Sequence, residues 1–251
     1  MIDRAEIRAR ARRLGLDESH VEHDYALCHV LVAISEAFPE LVFRGGTSLA
    51  RVYWPDYRLS EDLDFTSSSP VDQLEGRLQS AIEVASKRTT LDLMLDFGAS
   101  RNSWSRSVIR WADHELLLDV NSDVETALGS SRRPIDLPYR DLQEQEATVE
   151  VFALPEIMGN KWYMLNERRE PRDLFDIWAG LARFGVPFDD LDRGHRARYR
   201  YPPSAGSLYN AKSLEALWET RLAHQLADLP PFGTVYREVK REFQAWSDRQ
   251  D

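Results

Sequence analysis

Two carboxylates alternate in Arg58-Leu59-Ser60-Glu61-Asp62-Leu63-Asp64-Phe65. In an extended strand Asp62 and Asp64 point to one face, and Leu63 and Phe65 turn to the other. Just upstream, Phe43-Arg44-Gly45-Gly46-Thr47-Ser48-Leu49 is a short apolar run that ends in a glycine pair and a hydroxyl pair. Same-face carboxylates hold a divalent metal, and a glycine turn lets a triphosphate approach the backbone. Transfer of a nucleotidyl group needs both. Taken alone, an Asp-x-Asp is also what a solvated strand edge carries, and a glycine pair is also what a simple turn carries.

A third carboxylate lies in the run Glu115-Leu116-Leu117-Leu118-Asp119-Val120. A charge in so apolar a strand is costly unless it is paired or bound to metal. If this strand lies beside the Asp-x-Asp strand, Asp119 is a third oxygen ligand, a set that suits Mg²⁺ or Mn²⁺ with waters and phosphates completing the shell. The turn Gly45-Gly46-Thr47-Ser48 falls between a strand and a helix, where backbone N–H groups form an anion site and the Ser48 hydroxyl adds a donor. Ser60 is placed to anchor the same loop, and a phosphate on it would set negative charge against the carboxylates. Arginines at 193, 196, 198 and 200 alternate with Tyr199 and Tyr201. That pattern is either a solvated face or a surface where Arg196 and Arg198 meet phosphates and the tyrosines stack on bases. The second reading predicts salt-sensitive RNA binding.

The elements that must position these groups follow from periodicity and breakers. A helix is expected from Glu18 to Phe38, ended by Pro39, then a strand at Leu41–Arg44 and a short helix from Thr47 to Tyr53. Leu63–Thr66 is the second strand, followed by a helix from Val71 to Lys87. Strands are expected at Leu91–Phe97, Ser105–Trp111 and Glu115–Val120, the last two joined as a hairpin through Ala112-Asp113-His114. Arg132–Pro138 reads as a loop and Val149–Ala153 as a strand. Beyond Pro155 the pattern is helical: Glu156–Arg168, Arg172–Phe184, Lys212–Leu226 and Thr234–Trp246, with Asp192–Ser207 as a loop. The fold class is α+β, a small mixed sheet in residues 1–154 followed by a helical domain in 155–251.

Composition bounds the rest. The chain has 251 residues, of which 43% are hydrophobic and 29% charged, as in an ordinary folded protein rather than a disordered one. A net charge of −10 argues against a surface coated for non-specific nucleic-acid binding, although not against a local basic patch. The single cysteine, Cys28, excludes an intramolecular disulfide and fits a reducing compartment. No apolar run is long enough to span a bilayer, and the opening Met-Ile-Asp-Arg-Ala-Glu lacks the apolar core of a signal peptide. A cytoplasmic protein without a membrane partner is expected.

The Gly-Gly-Thr-Ser-Leu turn and the Arg-x-Ser-x-Asp-x-Asp-Phe segment resemble the AbiEii/AbiGii family of nucleotidyltransferase-like toxins. This family includes the mycobacterial MenT toxins and belongs to the DNA polymerase β-like nucleotidyltransferase superfamily. The resemblance extends to Val21-Glu22-His23-Asp24-Tyr25, with His23 where the family usually has lysine. It returns at Ile157-Met158-Gly159-Asn160-Lys161 and at Arg172-Asp173-Leu174-Phe175-Asp176. It implies a polymerase-β-like core whose Asp62 and Asp64 bind metal and whose Gly45, Gly46, Thr47 and Ser48 hold an NTP. It further implies that Lys161 contacts nucleotide phosphate and that Asp176, with Asp173, supports the site. Read without the resemblance, Lys161 fits a surface lysine on an amphipathic helix. Asp173 answers a helix dipole, and Asp176 suits a pair with Arg172. The implied activity is NMP transfer to an RNA acceptor, a tRNA 3′ end, countered by an AbiEi-type antitoxin. A protein or small-molecule hydroxyl as acceptor, and a non-catalytic interaction module, are the competing functions.

Overall fold

The computed structural model describes residues 4–55, 57–89, 91–101 and 103–250. The first three residues of the N-terminal segment, Met1-Ile2-Asp3, lie outside them. The chain folds as two compact units, Met1–Glu125 with Ser130–Phe152, and Thr126–Gly129 with Ala153–Asp251.

In the first unit, α1 (Arg4–Leu14) and α2 (Glu18–Ala37) lead into β1 (Val42–Arg44). Then come α3 (Gly45–Ser48), which runs on as a π-helical turn over Leu49–Tyr53, and β2 (Asp62–Thr66). A 3₁₀ turn at Val71–Gln73 precedes α4 (Glu75–Thr89), β3 (Met94–Arg101), β4 (Trp104–Trp111) and β5 (His114–Asn121). The unit closes with β6 (Ser130–Pro134), α5 (Arg140–Gln143) and β7 (Thr148–Phe152). The strands form one mixed sheet in the order β3-β4-β5-β2-β1-β7-β6. The pairs β2–β5 and β1–β7 are parallel and the others antiparallel.

Strand alternation divides the sheet into two chemically different faces. Phe43, Leu63, Phe65, Ile109, Leu116, Leu118 and Val151 are buried on one face, where α2 packs against β2, β5 and β7 and pairs with α4. α2 is capped by Asp17, whose carboxylate accepts the Ser19 N–H at 2.9 Å, and is buried over most of its circumference. Cys28 lies in that interior, and burial pushes its thiol up to about 12, which leaves it inert. The opposite face carries Asp62, Asp64, Asp119, Arg106 and Arg44.

Two loop expectations are corrected. Residues 130–134 form an edge strand paired with β7, because Ser131, Arg132 and Arg133 extend and only Pro134, at the strand's end, lacks an N–H. The proline content of the following loop had masked it. The expected loop from Asp192 is helix as far as Tyr199, as the second unit shows.

That unit is helical: α6 (Leu154–Glu167), α7 (Pro171–Ala182), α8 (Phe188–Tyr199), α9 (Ala211–Leu222) and α10 (Phe232–Ser247). α8 starts after Pro187 with Asp189 and Asp190 in its first turn and ends with Arg196 and Arg198, the charge order a helix dipole favours. Its core is aromatic, with Trp162 stacked on Phe243 at 5.3 Å and Phe188 against Trp246 at 5.0 Å. Among the described residues no helix is long and apolar enough to cross a membrane.

Candidate active site

Gly45 holds the two site segments together. It has φ +80°, a conformation that glycine adopts without penalty. A Cβ on it would overlap the Asp64 carboxylate. The glycine turn is therefore pressed against the second carboxylate of the Asp-x-Asp, as β1–β2 pairing of Arg44 with Asp64 requires. The turn is fixed from inside. Ser48 is fully buried and its hydroxyl donates to the Gly45 carbonyl at 2.7 Å. The Thr47 hydroxyl, also buried, lies 2.7 Å from Ser60 Oγ and donates to the Asp62 carbonyl.

These bonds revise the sequence reading. The Ser48 and Thr47 hydroxyls shape the turn and do not face outward as phosphate donors. What the turn offers an anion is the backbone N–H groups at the start of α3, where Arg44 gives no side-chain cap. Ser60 is buried, so it anchors the loop and is closed to a modifying enzyme in this conformation.

Asp64 and Asp119 are register partners on the parallel strands β2 and β5, and Asp62 is two residues from Asp64 on the same face. The neighbouring-strand placement expected for Asp119 is what the sheet contains. Its carboxylate, however, is gripped by Arg106 of β4, with Nε–Oδ1 2.8 Å and Nη2–Oδ2 2.7 Å. Among the described residues no three His, Cys, Asp or Glu side chains are arranged to hold a metal ion together. Of the three carboxylates expected from sequence, Asp119 is held by a guanidinium. The arrangement fits a different mode, in which one or two carboxylates hold Mg²⁺ and substrate phosphates supply the remaining ligands. Asp62 and Asp64, with the side-chain-free Gly45 beside them, suit that mode.

A buried ion pair lies behind the turn. Arg51, from the π-helical turn, donates to Asp24 of α2, and Asp24 also accepts the Tyr139 hydroxyl at 2.7 Å. Burial, the largest single influence, would lower the Arg51 guanidinium, but Asp24 together with Cys28 and Tyr139 outweighs it and the net shift is upward. Asp24 belongs to the segment around His23, and Arg51 lies in the chain between Gly46 and Asp62. Sequence reading assigned neither a role. Their separation of 27 residues hides the pair, and π-helical geometry has no sequence period that reveals it.

In the second unit Lys161 is 4% exposed, not a surface lysine. Its ammonium lies 3.0 Å from Asp173 Oδ1 and 2.8 Å from Asp176 Oδ2, both carboxylates fully buried. Arg168 adds a two-pronged grip on Asp173, with both contacts 2.8 Å. Burial by itself would raise Asp173, yet Lys161 and Arg168 hold it below its ordinary value. Lys161, Asp173 and Asp176 are therefore brought together as one ionic cluster that ties α6 to α7.

Arg196 and Arg198 are not jointly presented to solvent. Arg196 pairs with Asp192 one turn back at 2.7 Å, and Arg198 reaches the buried Glu156 at 3.2 Å. Tyr199 stacks on Tyr163 with centroids 4.0 Å apart and donates to Asn160 at 2.6 Å. Tyr201 remains about half exposed.

The family model for the AbiEii nucleotidyl transferase toxin of type IV toxin–antitoxin systems matches residues 26–249. Among solved structures, the nucleotidyltransferase toxin MenT4 from Mycobacterium tuberculosis H37Rv superposes with a TM-score of 0.72 at 19% identity, over 97% of this chain and 89% of that one. An H. pylori chain assigned as a nucleotidyltransferase superposes with a TM-score of 0.60 at 18% identity, over 92% and 95%. No curated protein sequence matches this chain.

Proposed function

Since the chain belongs to the AbiEii family of nucleotidyl transferase toxins, which act in type IV toxin–antitoxin systems, we propose that it transfers NMP from an NTP to an RNA acceptor, a tRNA 3′ end, with Mg²⁺ or Mn²⁺ held at Asp62 and Asp64. One observation carries this reading: the Asp64 carboxylate lies directly against a glycine turn that presents helix-start N–H groups. The turn would take triphosphate oxygens while the same-face carboxylates take the metal. When bound, the metal neutralises triphosphate charge and lowers the pKa of the acceptor hydroxyl. The acceptor oxygen forms its bond to the α-phosphorus as the α–β bridging bond breaks. Pyrophosphate leaves with the electron pair, and a carboxylate of the pair receives the hydroxyl proton.

A contact from Lys161 to nucleotide phosphate, with Asp176 in support, comes from the family likeness alone. The tRNA acceptor and an AbiEi-type antitoxin come from the family likeness alone.

The test is purified protein with Mg²⁺, each labelled NTP in turn, and RNA, protein and small-molecule acceptors in separate reactions. Label in RNA with the native chain and none with Asp64→Asn is the expected result. Label in protein or a small molecule moves the acceptor. Full toxicity of Asp62→Ala, without label anywhere, would leave a non-catalytic interaction module.

A further inference from the structure

A single cross-strand row runs over four strands: Arg106 of β4, Asp119 of β5, Asp64 of β2 and Arg44 of β1, each the register partner of the next. Directly paired residues share a face, so two carboxylates stand side by side between two guanidiniums. Like charges at that spacing repel, and a cation must balance them. Arg106 does so on one flank with both prongs on Asp119, while Arg44 sits on the other with its Nε buried and not hydrogen-bonded.

Two arginine–aspartate pairs of the first unit differ in exposure. Arg51 and Asp24 are 4% and 1% exposed, so breaking them leaves a buried charge. Arg106 is 46% exposed and Asp119 17%, so the guanidinium has water to turn into, provided that another cation replaces it beside Asp119. The first pair is a fastener. The second is a latch.

We propose that Arg106 is a displaceable internal cation that occupies Asp119 in the nucleotide-free chain, and that Asp119 becomes a metal ligand only when Arg106 lets go. This rests on the reading of Asp62 and Asp64 as a metal-binding pair. Its consequence is that the empty chain holds metal weakly. The Asp64–Asp119 pair is fully available only once an incoming triphosphate offers Arg106 other oxygens. Metal loading is thereby coupled to NTP binding.

Titrating the nucleotide-free full chain with Mn²⁺, followed by electron paramagnetic resonance, tests this without reference to activity. Arg106→Ala and Arg106→Gln should bind Mn²⁺ on the order of tenfold more tightly than the native chain, since each removes a competing charge and its ion pair. Arg110→Ala is the control. It removes the same charge from the same strand face, but Arg110 pairs with Asp96 and Glu115, not with the row. Its Mn²⁺ affinity should stay within about twofold of native at this greater distance. Asp64→Asn should lose the site. If the Arg106 variants bind no more tightly than the native chain while Asp64→Asn still abolishes binding, the latch is wrong and the metal pair stands. If native, Arg106→Ala and Asp64→Asn chains bind alike, the metal pair itself is wrong.

Discussion

A methyl group on Gly45 would meet the Asp64 carboxylate, and its φ of +80° already disfavours any side chain. Left-handed backbone costs a non-glycine residue about 1–2 kcal/mol. The carboxylate, in contrast, can move aside by rotating. Gly45→Ala should therefore fold, with a melting temperature lowered by several degrees, while transfer falls by roughly 100-fold or more because misplacement by about an ångström is that expensive. A loss of activity no larger than the loss of folded protein would count against the turn–carboxylate contact. His29 supports a second prediction. It is buried 3.5 Å from Asp141, and burial lowers its pKa to about 4, partly opposed by that carboxylate. The unfolded chain takes a proton near the ordinary value of 6.5, the folded chain only near 4. The stabilisation is thus complete above pH 6.5 and is lost as pH falls toward 4, by roughly 3 kcal/mol in total. Urea denaturation of native and His29→Leu chains between pH 7 and 4 should show this slope flattened in the variant.

At the scale of elements, α6 and α8 cross where Gly159 faces Gly194. A Cβ on Gly159 would run into the backbone of Gly194 and His195, and one on Gly194 into that of Pro155 and Glu156. Backbone cannot rotate away as a side chain can. Gly159→Ala should cost about 3 kcal/mol or more by overpacking, read as a lower urea midpoint with unchanged slope. An unchanged midpoint would show that the helices part freely. This crossing also explains why a glycine precedes Lys161 by two residues in the segment that carries the family likeness.

Much of this architecture was legible in the sequence. The alternation in β2 and β5, the α2 helix and the strand–turn–helix at Gly45 all have local periods or breakers that declare them. What was missed depends on distance or on a single residue of register. Placing the hairpin turn over Ala112-Asp113-His114 pairs Trp111 with Glu115, which sets Arg106 opposite Val120. The actual pairing is Trp111 with His114, which sets Arg106 opposite Asp119. One residue of slip reverses the face, and with it the fate of the third carboxylate. α8 was missed because only Phe188, Leu191 and His195 mark its buried side, and its arginines read as a basic loop.

For the whole molecule, charge decides how an RNA acceptor would be held. The chain carries −10, and the arginines best placed by sequence for phosphate are engaged within the second unit, Arg193 with Asp190, Arg196 with Asp192 and Arg198 with Glu156. Glu156 is fully buried and accepts the N–H groups of Ala127 and Leu128, so Arg198 balances a structural carboxylate. Removing Arg198 therefore strips a partner from a buried charge, and Arg198→Ala should lower stability by about 3 kcal/mol before it touches RNA. Arg196→Ala breaks only an exposed pair and should change stability by less than about 1 kcal/mol. With these three arginines engaged in ion pairs, RNA affinity should fall with salt only shallowly. Log K against log salt should have a slope between about −1 and −3, corresponding to a few phosphates on a single strand. Filter binding of labelled tRNA from 50 to 300 mM salt reads this directly. A slope steeper than about −5 would require a broad basic surface, and it would return the whole run of arginines in α8 to the RNA interface.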